Sequence, residues 1–207
     1  MQVTVNIVSY RYGHLVAHAV ESVLAQSKLP DVIRVIDDGV GDCRHIAELY
    51  PEIEFIERET NLGPVASFQD ALDRTTTDRV LNLGADNWLR PDAIASVTAY
   101  GHDIVSYDIA ICGDGAQAFA LRAGAALTPS HYYLWQFRPL DIRVVNYIHG
   151  SSLFNADLAK RHKYRSSGRE RSEEDWMMWQ DMLGAGATHH HIPEPMLYYR
   201  RHRSNSR

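Results

Sequence analysis

Four times within the first 100 residues the sequence passes between a short β-branched run and a helical pattern, and that alternation admits few folds. Val3 to Tyr10 alternates apolar and polar residues and predicts a strand, after which Leu15, Val16, Ala19, Val20, Val23 and Leu24 recur at helical spacing. Leu29-Pro30 ends that helix, and Val32 to Ile36 predicts a buried strand running directly into Asp37-Asp38-Gly39. A shorter helix over Arg44 to Leu49 stops ahead of Pro51, and Ile53 to Ile56 predicts a third strand. Asn61-Leu62-Gly63-Pro64 turns into a helix with Val65, Phe68 and Leu72 on one face, and Val80 to Gly84 is the fourth strand. Strands joined through helices pair in parallel, so the first half predicts an α/β fold with helices flanking a mostly parallel sheet.

The second half is less regular and reads as α+β additions to the same sheet, one domain over residues 1–207. Pro91 fixes a turn, and Asp92 is placed to cap a helix starting at Ala93. Ile104 to Cys112 predicts a strand, Gly113-Asp114-Gly115 a turn, and Phe119 to Leu121 a strand pairing back as a hairpin. An aromatic segment, Tyr132 to Phe137, precedes a strand over Tyr147 to Phe154 that His149-Gly150 interrupts. Lys163 to Glu173 reads as a mobile loop, and a helix from about Glu174 carries Trp176, Trp179 and Leu183 on one face. Ala187 to Ile192 predicts the last strand, followed by a polar, basic tail.

Charge and cysteine usage narrow the function. A net charge of −5 argues against nucleic acid as the partner, since a phosphate-binding surface needs a basic excess. Two widely spaced cysteines, Cys43 and Cys112, form neither a disulfide framework nor a metal spacing and suit a reducing compartment. MQVTVNIVSY has no basic n-region, so it is not read as a signal peptide, and no apolar run approaches a membrane span. These features together predict a cytoplasmic location.

The acids fall at strand ends. Asp37-Asp38 follows the second strand and Asp86-Asn87 the fourth, so in a parallel sheet both face one crevice at the carboxyl edge. A carboxylate there can accept an imide N–H or a ribose hydroxyl, and Ser9-Tyr10 adds a hydroxyl and an aromatic face for stacking. Asp86 beside Asn87 suits a hard cation. Glu173-Glu174-Asp175 opens a helix, where acids favour the dipole, and one of them is placed to act as a general base. His189-His190-His191 resembles a metal tract, but on a strand at most two of the three share a face. His202, among Arg200, Arg201 and Arg203, could complete a metal's coordination while the arginines screen a diphosphate.

Taken together, VNIVSYRYG, VIDDG, NLG, LGADNWLRPDAI, IHGSSLF, EEDWMMW and PEPMLYYRRHRSNS resemble, in order, the segments of the family-two GT-A glycosyltransferases, which invert at a nucleotide-diphosphate sugar. The resemblance covers almost the whole chain. It implies a GT-A fold, Rossmann-like in its first half, with nucleotide-sugar binding over residues 1–100 and acceptor binding and catalysis over 101–207. It implies nucleotide contacts at Ser9, Tyr10, Asp37, Asp38, Asn61, Gly63, Ala85 and Asp86. The family's Asp-x-Asp metal motif falls on Gly84, Ala85 and Asp86, so its first acid is missing. The resemblance implies Asp86 and His202 as ligands of a divalent metal, Mg or Mn, and Asp175, paired with Glu174, as the base. The implied partners are a nucleotide-diphosphate sugar, UDP-linked as a first expectation, and a glycan or lipid-linked acceptor, with room for peripheral membrane association.

Two other readings compete. Gly84 in the metal motif, and an end at Arg207 soon after the last motif, suit a degenerate domain that binds nucleotide or glycan without catalysis. A sugar-phosphate nucleotidyltransferase would want a glycine-rich phosphate loop after the first strand, where Ser-Tyr-Arg-Tyr-Gly has one glycine.

Overall fold

The computed structural model describes residues 1–165 and 174–202. The first half runs β1 (Val3–Ser9), α1 (Gly13–Leu24), β2 (Val32–Asp37), α2 (Arg44–Leu49), β3 (Glu54–Glu57), α3 (Gly63–Asp73) and β4 (Arg79–Gly84). It continues with β5 (Trp88–Leu89), α4 (Ala93–Thr98), β6 (Ile104–Cys112), α5 (Ala116–Ala123), β7 (Ala126–Leu127) and β8 (Tyr133–Trp135). The last elements are β9 (Leu153–Asn155), α6 (Ala156–His162), α7 (Glu174–Gly184) and β10 (His189–Arg200).

One ten-stranded sheet carries both halves, in the order β3-β2-β1-β4-β9-β6-β10-β5, with β8 beside β6 and β7 beside β8. β1 to β4 pair in parallel, as their helical connections require. In the second half, β9 runs antiparallel between β4 and β6, and β10 is parallel to β6. β1 is buried along both faces, the mark of a central strand. Val16, Ala19, Val20 and Val23 of α1 bury the stripe read from their spacing, and Trp179 of α7 packs edge-on against Phe154, ring centroids 5.3 Å apart.

Register brings the acids together. Ser9 lies opposite Asp37, and Val8 opposite Gly84, so the loops leaving β1, β2 and β4 emerge at one edge of the sheet.

Several local expectations are corrected. Phe119 to Leu121 is not a hairpin strand but lies in α5, an alanine-rich helix that ends at Gly124 in the left-handed region (φ 66°). The strand expected from Tyr147 begins only at Leu153, because Ser152 N–H and Oγ–H both donate to His149 O in a turn over 149–152. β10 extends well beyond Ile192, through Pro193 and Pro195, and its register against β6 shifts there, where proline cannot donate to the ladder. The basic tail therefore begins as strand. Asp92 does precede α4, but its carboxylate pairs with Arg90 rather than capping the helix. The expected loop over Lys163 to Glu173 falls largely outside the described residues, as does Arg203.

Candidate active site

Asp37 and Asp38 leave β2 for different tasks. Asp37 is fully buried and accepts the backbone N–H groups of Val40 (3.0 Å), Gly41 (3.1 Å) and Cys43 (2.9 Å). It shapes the loop rather than the crevice. Ser9 sits behind it, its Oγ receiving the Cys43 thiol at 3.2 Å. Asp38 Oδ1 accepts from Arg58 Nη1 (2.9 Å) and the Leu62 N–H (3.2 Å), while the residue lines a cleft of about 400 Å³. Tyr10, Asn61, Gly63, Ala85 and Asp86 line the same cleft, so six of the eight expected nucleotide contacts converge and Ser9 and Asp37 support them from beneath. Gly39 makes the convergence possible: at φ +80° it lets the loop touch the next turn, where a Cβ would lie 2.2 Å from the Thr60 carbonyl carbon.

A second cavity of about 390 Å³ adjoins the first, with Phe68 and Gly84 lining both. Phe68, Trp135, Phe137, Tyr164 and Tyr199 give it aromatic walls, and Glu174 and Asp175 present their acids to it from the first turn of α7. Asp175 Oδ1 accepts the Trp176 N–H at 2.6 Å and is approached by Asn146 Nδ2 at 3.5 Å. Burial, and then the neighbouring Glu174 carboxylate, push the Asp175 carboxyl up to about 7. Burial raises Glu174 too. Glu173 lies outside the described residues.

The metal ligands expected from the sequence also meet. His202 Nε2 is 3.4 Å from Asp86 Oδ2, and its ring stands edge-on to Tyr12. An imidazole nitrogen and a carboxylate oxygen at that separation fit two ligands of one Mg or Mn ion, borderline and hard donors respectively. Asn87 is otherwise engaged: its Oδ1 accepts the Arg200 N–H at 2.9 Å and so ties the end of β10 to this loop. Its amide also explains Gly84, since a Cβ there would lie 2.7 Å from Asn87 Nδ2 and 3.0 Å from Asp86 Oδ1. An acid at position 84 and this placement of Asn87 exclude each other.

The sequence model of Glycosyl transferase family 2 matches residues 4–162, more than half of the chain. The chain belongs to glycosyl transferase family 2. Solved structures agree on a GT-A fold. S. aureus TarS 1-349 in complex with UDP-GlcNAc superposes with a TM-score of 0.73 at 16% identity, over 100% of this chain and 62% of that one. TarS 1-349 in complex with UDP gives 0.71 at 17%, over 97% and 61%. The mannosyltransferase PcManGT from Pyrobaculum calidifontis, in complex with GDP-Man and Mn2+, gives 0.67 at 18%, over 95% and 56%. The family-2 chain thus spans about 60% of the length of the TarS 1-349 chains it matches. No curated protein matches it in sequence.

The matched segment stops before α7, so the acid pair rests on geometry of its own. Sequence reasoning missed what holds it. Gly150, in the turn over 149–152, leaves room for the Asp175 carboxylate, whose Oδ2 lies only 2.9 Å from where a Cβ would be. The glycine inside an apolar run was the available signal. Gly150→Ala in this family-2 domain should therefore displace the Asp175 carboxylate and lower turnover at least tenfold, with nucleotide affinity unchanged. Steady-state kinetics beside nucleotide titration checks this, and wild-type turnover would show that the carboxylate has room to move. The other missed residues are Arg58, which bridges Asp38, Ser67 and Asp70, and Asn82 with Tyr164.

Proposed function

We propose that the chain is an inverting glycosyltransferase that moves a sugar from a nucleotide-diphosphate donor to a hydroxyl of a glycan or lipid-linked acceptor. One observation carries the reading: Asp175, a half-buried acid beside Glu174 whose carboxyl is pushed up to about 7, stands in a cavity with aromatic walls that opens beside a cleft of nucleotide size. Aromatic walls suit the apolar C–H faces of a sugar ring, and the carboxyl can hold a proton taken from a hydroxyl.

In the proposed reaction Asp175 accepts the proton of the acceptor hydroxyl as its oxygen bonds to the anomeric carbon. The bond from that carbon to the diphosphate oxygen breaks, the nucleotide diphosphate leaves with the electron pair, and one displacement inverts the configuration. Asp38, with Oδ1 held by Arg58 and Leu62, offers its second oxygen to an imide N–H of the base. Uracil presents that group, hence a UDP-sugar as the first donor; guanine also presents a donor. TarS with UDP-GlcNAc and PcManGT with GDP-Man support these two classes. Asp86 and His202 would hold a divalent metal, which when bound supplies positive charge against the diphosphate. PcManGT in complex with Mn2+ supports that assignment. The first 100 residues form the donor half, and the rest the acceptor half.

On the acceptor side, Leu140, Val144 and Val145 are exposed just ahead of Asn146 in the acid cavity, which supports a lipid-linked acceptor and a peripheral membrane contact. No helix among the described residues is long and apolar enough to cross a membrane. The reading takes the reaction to be cytoplasmic, which the two free cysteines, Cys43 and Cys112, support.

The test is transfer itself: UDP- and GDP-sugars are incubated with glycan acceptors and Mg or Mn, and the release of UDP or GDP is followed. Tight nucleotide binding with no turnover on any acceptor would instead favour the degenerate reading that Gly84 suggests. Separately, Asp86→Ala should remove most of the Mn-dependent part of nucleotide affinity. Titrating UDP and GDP with Mn and with a chelator measures it, and identical Mn dependence in the variant would reject Asp86 as a ligand.

A further inference from the structure

Arg34, Asn6 and Asn82 stand side by side across three strands, because β1 pairs Asn6 with Arg34 of β2 and with Asn82 of β4. All three are buried. Polar groups in the middle of a sheet are costly unless their hydrogen bonds are made, so the row calls for a reason.

Arg34 sets its direction. A guanidinium only donates, and this one is anchored by Glu54 (2.7 Å) and the carbonyls of Ala71 (3.4 Å) and Arg74 (3.2 Å). Its Nη1 donates to Asn6 Oδ1 at 3.0 Å. With its oxygen taken, Asn6 turns Nδ2 to Asn82 Oδ1 at 3.3 Å, and Asn82 Nδ2 then donates to the Tyr164 hydroxyl at 2.8 Å. Each amide could be flipped in isolation; the charge at the head of the row removes that choice.

The Tyr164 oxygen is thus a receiver, and its own proton must go elsewhere. It has no acceptor for that proton among the described residues, and it lines the cavity of Glu174 and Asp175. Burial and the two acids raise its pKa well above the ordinary value, so the proton stays on. The same acids disfavour an anionic group beside it.

We propose that the Tyr164 O–H is a ligand-binding donor for a neutral sugar oxygen in this cavity, kept donating by the Arg34–Asn6–Asn82 row. The proposal concerns the site of the transferase reading and takes from that reading that the ligand is a sugar. The oxygen belongs either to the donor's glycosyl group or to the acceptor.

The test uses the whole chain with tyrosine labelled at ¹³Cζ, as wild type, Tyr164→Phe and Asn82→Asp. The Tyr164 signal is the one missing from Tyr164→Phe. Asn82→Asp keeps the shape but leaves only acceptors facing the hydroxyl, so it draws the proton back from the cavity. Ligands are UDP, GDP, UDP-GlcNAc, GDP-mannose and methyl glycosides. The Tyr164 signal should answer to sugar-bearing ligands and not to bare diphosphates. Affinity for those sugar-bearing ligands should fall about 3- to 10-fold in both variants. Affinity for diphosphates should hold. A response to nucleotide-sugars alone assigns the oxygen to the donor, and a response to methyl glycosides alone assigns it to the acceptor.

Sugar-bearing ligands that bind Tyr164→Phe as tightly as wild type overturn the proposal, as does a Tyr164 signal that no sugar moves. If Asn82→Asp fails to fold, Tyr164→Phe still decides. A protein deaf to diphosphates whose Tyr164 signal answers to methyl glycosides keeps the proposal and loses the transferase reading.

Discussion

Asp175→Asn should lower glycosyl transfer by about 10²–10⁴-fold while leaving nucleotide affinity within twofold of wild type. The substitution keeps the size of the side chain and an oxygen to accept the Trp176 N–H, so the surroundings need not move. What it removes is the ability to hold a proton. Asp175 lines the acid cavity and not the nucleotide cleft, which separates the two measurements. The wild-type rate should depend on pH with a matching sign. A base must be deprotonated, so with the carboxyl at about 7 turnover should rise roughly tenfold per unit below pH 7 and level off above it. The variant's residual rate should lack that rise. A variant retaining more than a tenth of wild-type turnover, or a wild-type profile flat between pH 5 and 7, would remove Asp175 from the role of base.

How much of this was visible in the chain follows from the range of the forces involved. The parallel half was legible because each strand and helix declares itself locally, over 4 residues in β3 to 12 in α1, as Val16, Ala19, Val20 and Val23 do in α1. The strand-end rule then placed Asp38 and Asp86 at one edge without knowledge of any loop. It could not separate Asp37 from Asp38. Adjacent residues at a strand end point opposite ways, and only the conformation of the loop over 38–43 decides which carboxylate the backbone consumes.

The second half was harder for the same reason. β9 is three residues long and owes its place to β4 and β6 on either side, partners far away in sequence. The alanines of α5 were the local signal for helix there. His189 and His191 do share a face, as strand geometry requires, yet both meet Ser106, and His191 also meets Asp108, in a buried hydrogen-bonded cluster. Asn82 and Arg34 look like defects in apolar strands until register sets them in one row with Asn6. Their meaning is a property of pairing, which no single strand carries.

The second large effect concerns stability: at pH 8, Asp175→Asn should be more stable than wild type by a few kcal/mol. A carboxyl raised from 3.8 to about 7 in the folded chain binds its proton more tightly there than when unfolded. Between about pH 4 and 7 the folded state therefore holds more protons, so stability falls as pH rises through that window and is level above it. Roughly three units at about 1.4 kcal/mol each give on the order of 4 kcal/mol. Two half-buried histidines act with the opposite sign. His149 and His189 are lowered to about 4 by burial, so stability associated with them is lost as pH falls from 6.5 toward 4. The wild-type curve by itself is the sum of these trends. Subtracting the denaturation curves of wild type and Asp175→Asn at each pH cancels the histidines and isolates Asp175. The difference should be small near pH 4, grow steadily toward pH 7, and stay constant from there to pH 9. A difference independent of pH would mean that Asp175 titrates alike in both states and that its burial costs the fold nothing. A growing difference together with lost turnover would identify one carboxylate that destabilises the protein at the pH where it is needed as a base.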